Sequence, residues 1–329
     1  MSRIDRGGTT DDAPPARSQT TSVNGLAVSR RRPAAPVATV VFVHGAMDRA
    51  ASFARVMRRL GDFDVIAYDR RGYAGSCHHG RPGDGSPGMA PPDADPSVAG
   101  SRDPLCGHVN DLAAVLDWAC ASAPTLPRVV VGHSLGALIA LVAVATACPS
   151  PSPVGTDVGI IAAGAPPIPD VPMKADAVCV FEPPLPWLDP GYVTSGSRAI
   201  DIADTDGPHA AAEFFYRSAV GDRTWNRLSD SDRAIRRSEG DALVSELRAA
   251  RATRRSLPLP SDTHALHVAR GDRGPVHLRE AAETLAEAAG VECDVIAGAS
   301  HGAHLQHPDR FARWVRSSAL LGIGAEDRA

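Results

Sequence analysis

The sequence predicts an α/β protein that is built on a mostly parallel sheet and carries a separate block of helices. Two patterns lead to this class. Short runs of β-branched and aromatic residues, typical of strands buried on both faces, alternate with helical patterns along most of the 329 residues. The block from 208 to 255 has apolar residues at helical spacing and no strand pattern. Apolar residues make up 43% of the chain, which is enough to form a globular core.

The first half of the chain predicts strands that are joined by helices. Gly61 ends the first helical pattern, and the strand–helix–strand unit around it should form a right-handed parallel crossover. The predicted elements, in order, are a strand at 39–43, a helix at 50–60, a strand at 64–68, a helix at 109–119 and a strand at 128–131.

The second half continues this alternation on both sides of the helical block. Its apolar runs and periodic segments follow the same two templates. The predicted elements, in order, are a helix at 137–148, a strand at 177–181, the helical block at 208–255, a strand at 264–269, a helix at 276–289, a strand at 292–296 and a helix at 308–321.

Glycine and proline are concentrated in three stretches of the chain. Of the 30 Gly and 28 Pro residues, 32 fall within 1–36, 77–106 and 149–190. The first stretch is polar and lacks periodicity, which predicts a disordered tail over 1–36, with a short edge strand at Leu26–Val28 as the alternative. The second has almost no large apolar side chains, which predicts a long surface loop inserted over 77–106.

Composition and charge restrict the partners and the compartment. The net charge of −4 gives no basic excess for binding nucleic acid. The first residues contain no apolar signal segment, and the longest uncharged apolar run, 135–148, is shorter than the roughly 20 residues that span a bilayer. The six scattered cysteines are typical of free thiols in a reducing compartment. We therefore expect a cytoplasmic protein with no nucleic-acid partner, no membrane partner and no metal site.

The segment Gly132-His133-Ser134-Leu135-Gly136 matches the pattern G-x-S-x-G. It follows a predicted buried strand and precedes an apolar helix, which is the context that a nucleophile elbow requires. Such a turn raises the serine hydroxyl above the sheet, at the start of a helix whose free N–H groups favour a developing oxyanion. The alternative is a tight strand-to-helix turn with an inert serine.

Three further segments accompany this motif. They are Val41–Met47 (VFVHGAM), Tyr68–Ser76 (YDRRGYAGS) and Gly298–His301 (GASH), the last followed by Pro308 and Phe311. With the elbow, and in this order, they resemble the oxyanion loop, the D-x-R-G-x-G-x-S loop and the histidine segment of the α/β-hydrolase superfamily. The resemblance covers residues 37–76, 106–148 and 262–320.

This resemblance implies an eight-stranded, mostly parallel sheet with a helical cap inserted after the sixth strand. It divides the chain into a hydrolase core at 37–182 and 262–321, a cap at 183–261 and a short tail at 322–329. The helical block predicted from periodicity falls inside the cap.

The resemblance also assigns roles to single residues. Ser134 would be the nucleophile and His301 the general base. The backbone N–H groups of Ala46 and Leu135 would form the oxyanion hole. Met47, Trp187 and His304 are candidates for the substrate pocket, and for each of them ordinary packing is the alternative.

The triad acid departs from the family's commonest pattern, G-x-x-D-P after the seventh strand. Gly274 occupies the position of the acid in that pattern, and Asp272 lies two residues earlier. Another branch of the superfamily, similar to some haloalkane dehalogenases, takes its acid directly after the sixth strand, where this chain has Glu182. We expect Glu182 to be the acid, with Asp272 as the alternative. If Glu182 is not the acid, it would form a salt bridge at the cap entrance. If Asp272 is not the acid, it would bond its own backbone in a turn.

These assignments predict a cofactor-independent serine hydrolase with a Ser-His-Glu/Asp triad. It would act through an acyl-enzyme on a small or medium acyl ester, thioester or lactone. A C–C hydrolase, a perhydrolase or a lyase would use the same three residues. A non-catalytic binding or regulatory protein with this fold is the alternative from another class.

Overall fold

A computed structural model describes residues 18–77, 104–147, 175–186, 193–252 and 265–324. Most of the predicted 77–106 insertion, residues 325–329 of the predicted tail and Trp187 lie outside these residues, and so does the first half of the predicted 1–36 tail. Residues 104–106 of the insertion and 322–324 of the tail are helical instead. The described strands are β1 (Gln19–Val23), β2 (Leu26–Arg31), β3 (Thr39–Val43), β4 (Asp64–Tyr68), β5 (Arg128–His133), β6 (Ala177–Phe181), β7 (Ala265–Gly271) and β8 (Cys293–Ile296).

The described helices are α1 (Ala54–Arg59), α2 (Pro104–Ser122), α3 (Leu135–Ala147), α4 (Ser195–Asp206), α5 (Pro208–Val220), α6 (Asp222–Trp225), α7 (Asp230–Ser238), α8 (Gly240–Ala252), α9 (Val276–Ala289), α10 (Ala303–Gln306) and α11 (Pro308–Gly324). Short 3-10 turns precede α1 and follow β4. No described helix has both the length and the apolar character that crossing a bilayer requires.

The eight strands form one sheet in the order β1-β2-β4-β3-β5-β6-β7-β8. All neighbouring pairs from β4 to β8 are parallel, whereas β1 and β2 are antiparallel additions at one edge. Every residue of β3, β4 and β6 is buried, as their continuous apolar runs predict. The predicted eight-stranded, mostly parallel α/β fold is confirmed.

Part of the predicted tail instead forms the hairpin of β1 and β2. Asn24 and Gly25 connect the two strands with φ angles of 50° and 80°. Positive φ at both central residues is the geometry of the tight hairpin turns that Asn-Gly favours. Leu26 and Val28 are buried, so alternate side chains of β2 anchor the hairpin on the core.

Helices cover both faces of the sheet and bury a separate apolar cluster on each. On one face α2, α3 and α9 pack against the strands, and on the other face α1 and α11 do so. The core therefore consists of one layer of side chains on each side of the sheet.

Five helices, α4 to α8, lie between β6 and β7, in the region predicted for the cap; we call them the cap helices. The apolar periodicity predicts a helical block that begins at 208, whereas α4 lies before this block. This helix buries only Ala199 and Ile200, so its apolar periodicity is weak. Its start is marked by a capping box in which Thr194 and Ser197 bond each other's backbone N–H.

Candidate active site

The carboxyl ends of β5 and β6 place two predicted catalytic residues side by side. In the parallel register His133 pairs with Phe181, and Ser134 and Glu182 directly follow these two residues. The Ser134 N–H donates to the Phe181 carbonyl at 2.9 Å, and the Glu182 N–H donates to the Ala269 carbonyl at 3.0 Å. Hydrogen bonds of the sheet therefore hold the backbone of both residues.

Ser134 lies on a sharp turn from β5 into α3, with a φ of 54°. This left-handed conformation is strained for a residue with a side chain. The glycines of the motif allow the turn, because a Cβ at Gly132 would collide with the backbone of Ala137 and one at Gly136 with the carbonyl of Val43. The geometry is that of the predicted nucleophile elbow.

Glu182 and His301 are joined by a short hydrogen bond. His301 Nδ1 lies 2.6 Å from Glu182 Oε2, while Glu182 Oε1 accepts the N–H of Gly271 at 2.9 Å. The carboxylate is fully buried and His301 is 28% exposed. Because both oxygens are bound, the carboxylate has one orientation and directs the imidazole.

The position of Glu182 explains why residue 274 is a glycine. A Cβ at Gly274 would lie 3.0 Å from both Cδ and Oε2 of Glu182, and closer still to Oε1. The Glu182 carboxylate thus fills the space that a side chain at 274 would need. Asp272 is exposed, and a backbone hydrogen bond from Gly298 lowers its pKa. No hydrogen bond joins Asp272 to His301 within the described residues.

His133 holds His301 beside the elbow. Its Nε2 lies 2.7 Å from the His301 carbonyl oxygen, and the two rings are 4.7 Å apart. Among the described residues no hydrogen bond reaches Ser134 Oγ. In substrate-free hydrolases the bond from nucleophile to base is often long and shortens in the Michaelis complex.

The backbone N–H groups of Ala46 and Leu135 have no hydrogen-bond acceptor within the described chain. Leu135 is the first residue of α3, so its N–H is one of those that a helix start leaves free. Leu135 directly follows Ser134. Ala46 directly follows Gly45, which packs so closely against the elbow that a Cβ there would lie 3.0 Å from the Ser134 Cβ. Two free donors at this edge can serve an oxyanion.

A buried arginine, Arg70, supports this loop. Arg70 is 0% exposed, and its guanidinium donates to the carbonyls of His44 and Gly45 at 2.9 and 3.0 Å. The backbone N–H of Arg70 also donates to His44 Nε2 at 2.9 Å. Arg70 therefore fixes the loop that carries Ala46.

Arg70 also connects the core to the cap helices. It forms a 2.5 Å ion pair with Glu246 of α8, which further bonds His108 and the hydroxyl of Tyr73. Burial alone would raise the pKa of Glu246, but the charges and hydrogen bonds of Arg70 and His108 outweigh it and lower this pKa to about 2. No short motif marks this contact, because its partners are far apart in sequence.

The predicted pocket residues have different surroundings. Met47 is 3% exposed and packs with Tyr73 against cap residues including Trp225, and its carbonyl accepts a 2.9 Å hydrogen bond from Arg236 of α7. Met47 therefore contributes to the contact between core and cap helices.

His304 is buried near the carboxyl ends of β5 and β6, which we call the catalytic edge because the predicted catalytic residues Ser134 and Glu182 follow these strands. Its Nε2 lies 3.3 Å from Asp48 Oδ2, and its ring is 4.3 Å from that of His133 and 4.9 Å from that of Phe53. Asp48 and His133 are not among the predicted site residues, since only the fold brings them to His304. Burial and the neighbouring histidines lower the pKa of His133 well below its usual value.

Comparison with known proteins gives a family match. A family model described as the alpha/beta hydrolase family matches residues 40–314. A search of curated proteins by sequence finds no match.

Solved structures with similar folds cover nearly the whole chain. A thermophilic esterase from Thermogutta terrifontis has 15% identity and a TM-score of 0.57, covering 93% of this chain and 99% of its own. The enol-lactonase from Burkholderia xenovorans LB400 has 18% identity and a TM-score of 0.55, with coverages of 92% and 100%. An alpha/beta hydrolase from Sphaerobacter thermophilus has 20% identity and a TM-score of 0.53, with coverages of 91% and 99%. At these identities the likeness concerns the fold.

Proposed function

Because the chain belongs to the alpha/beta hydrolase family, we propose that it is a serine hydrolase of acyl compounds. Ser134 is the nucleophile, His301 the general base and Glu182 the triad acid. The N–H groups of Ala46 and Leu135 form the oxyanion hole.

The observation that carries this proposal is the hydrogen bond between His301 and Glu182. A carboxylate cannot donate, so His301 Nδ1 carries the proton and donates it to Oε2. Nε2 is then left with a lone pair that can accept the proton of Ser134. The same carboxylate stabilises the imidazolium that forms during the reaction.

The reaction proceeds in two steps of acyl transfer. Ser134 Oγ attacks the carbonyl carbon while His301 Nε2 takes its proton, and the tetrahedral oxyanion accepts hydrogen bonds from the two backbone N–H groups. The intermediate collapses, and His301 returns the proton to the departing alcohol or thiol. Water, deprotonated by His301, then attacks the acyl-enzyme, and Ser134 leaves with the proton restored.

The substrate class is a small or medium acyl ester, thioester or lactone. Neighbours whose names state an esterase and an enol-lactonase support acyl substrates. A panel of p-nitrophenyl esters, acyl thioesters and lactones separates these possibilities. A C–C hydrolase, a perhydrolase or a lyase would carry the same triad and would be indicated by higher turnover of its own substrates than of these three compound classes.

A fluorophosphonate probe tests the nucleophile directly, because it reacts with activated serines. The wild-type protein should label with one probe per chain and lose esterase activity, whereas Ser134→Ala should not label. Ser122→Ala is the matched control and should label normally, because the Ser122 hydroxyl bonds only the Ala119 carbonyl within α2. A folded wild-type protein that does not label would contradict the proposal and favour a non-catalytic binding role.

A further inference from the structure

Three potential metal ligands lie together directly below the catalytic edge. Asp48, His133 and His304 each offer one donor atom, and these atoms all lie within 4.8 Å of one another. His133 and His304 are 5% and 1% exposed, and the Asp48 side chain is 21% exposed. The proposed hydrolase mechanism uses none of the three side chains.

The hydrogen bond of His133 fixes which nitrogen is free. Its Nε2 lies 2.7 Å from the carbonyl oxygen of His301, and a carbonyl only accepts, so Nε2 carries the proton. Nδ1 is then an unprotonated lone pair, and it is buried without a partner in the described structure. A buried acceptor without a donor is rare and destabilising. A histidine whose second nitrogen donates to a backbone carbonyl is also the usual arrangement around a bound metal ion.

His304 and Asp48 supply the other two ligand atoms. His304 lacks a hydrogen bond of good geometry at either nitrogen among the described residues, although its Nε2 lies 3.3 Å from Asp48 Oδ2. Ser52 Oγ donates to the same Asp48 oxygen at 3.0 Å and orients the carboxylate. His44 is close by, but its two nitrogens are occupied by the Gly45 carbonyl and the Arg70 N–H.

We propose that Asp48, His133 and His304 form a binding site for one divalent transition cation such as Zn²⁺. Two imidazoles and one carboxylate suit this class of ion, whereas Mg²⁺ and Ca²⁺ prefer oxygen ligands. Zinc bonds of about 2.0–2.2 Å require ligand atoms roughly 3.4 Å apart, so small side-chain rotations bring the three atoms to the ion. Three protein ligands leave a fourth position for water.

A cation at this site would connect three loops of the catalytic edge. Asp48 lies two residues after Ala46, His133 directly precedes Ser134, and His304 lies three residues after His301. The ion would thus join the oxyanion loop, the elbow and the histidine loop. The proposal does not depend on hydrolase activity, since it concerns side chains outside the triad.

The test is a titration of the full-length, chelator-treated protein with ZnCl₂, followed by calorimetry and by metal analysis after gel filtration. We expect one zinc per chain and a rise in melting temperature. Binding of Co²⁺ should produce the visible absorption of a low-coordinate cobalt site. In His304→Gln we expect at least a tenfold weaker affinity and loss of that absorption.

His307→Gln is the matched control, because His307 lies in the same segment and bonds only the Gly298 carbonyl. It should bind zinc like the wild type. Asp48→Asn is the second variant if His304→Gln does not fold, and it should also weaken binding at least tenfold. The proposal fails if the wild type retains no zinc, or if the folded His304→Gln or Asp48→Asn variant binds it as tightly as the wild type.

Discussion

Replacing Gly274 by alanine should reduce turnover without changing any group that takes part in the chemistry. The added Cβ would meet three atoms of the Glu182 carboxylate at or below 3.0 Å, a limit that real Cβ contacts essentially never cross. The carboxylate must therefore retreat. Both of its hydrogen bonds, to His301 Nδ1 and to the Gly271 N–H, lengthen as it moves.

The size of the effect follows from this displacement. We expect the carboxylate to move by roughly 0.5–1 Å, and a misplacement of about 1 Å typically costs about 10²-fold in rate. This corresponds to about 2.7 kcal/mol of transition-state stabilisation. The overpacking itself should lower the free energy of unfolding by about 1–3 kcal/mol, so the protein should remain folded at room temperature.

The assay is steady-state hydrolysis of the best p-nitrophenyl ester, with urea unfolding as the measure of stability. Gly61→Ala is the matched control, because the nearest atom to a Cβ at that position is 3.9 Å away. It should retain wild-type kcat. If Gly274→Ala also retains wild-type kcat, the placement of the Glu182 carboxylate does not matter for the reaction and the triad assignment is wrong.

Three further predictions follow from the site and its supports. Glu182→Gln should lower kcat by about 10⁴-fold, whereas Asp272→Asn should leave it near the wild-type value; the reverse result in ester hydrolysis would transfer the acid role. Glu246→Ala should lower the free energy of unfolding by about 3–5 kcal/mol, because it leaves the Arg70 guanidinium buried without its partner. The double variant Arg70→Met/Glu246→Leu should lose less free energy of unfolding, measured in urea, than Glu246→Ala does. An equal loss would show that the unpaired Arg70 charge is not the cause. Burial and the charge of Arg70 lower the pKa of His44 from 6.5 to about 3. Between these two values the unfolded chain binds a proton that the folded chain does not. The contribution of neutral His44 to the free energy of unfolding is therefore complete above pH 6.5 and declines as the pH falls toward 3. Between about pH 7 and pH 5, the free energy of unfolding measured in urea should depend less steeply on pH in His44→Asn than in the wild type. An identical pH dependence in the two proteins would contradict this account.

The sequence predicts those parts of the site that local geometry determines. Ser134 needs a turn that only small flanking residues permit, so its motif is visible in five letters. Glu182 is a candidate for the acid because it directly follows a buried strand, and parallel strands place their carboxyl ends at one edge. Gly274, which looks like a missing acid in the sequence, marks in the structure the space that the Glu182 carboxylate occupies.

Contacts between distant segments were beyond such reasoning. Arg70 meets Glu246, and Asp48 meets His304, only after the sheet and the cap helices have assembled. The β1–β2 hairpin was predicted only in part, as the alternative of a short edge strand at Leu26–Val28. Its Asn24-Gly25 turn is a strong local signal, but the surrounding polar residues resemble a tail.

The buried pair of Arg70 and Glu246 also limits how the cap helices can move. Any motion that pulls α8 from the core would separate these two charges and expose them to water. Buried ions are stable only while they are paired, and separating them costs several kcal/mol. Helix α8 is therefore held against the core, and the buried Glu239 between α7 and α8 adds a second tie through its ion pair with Arg49.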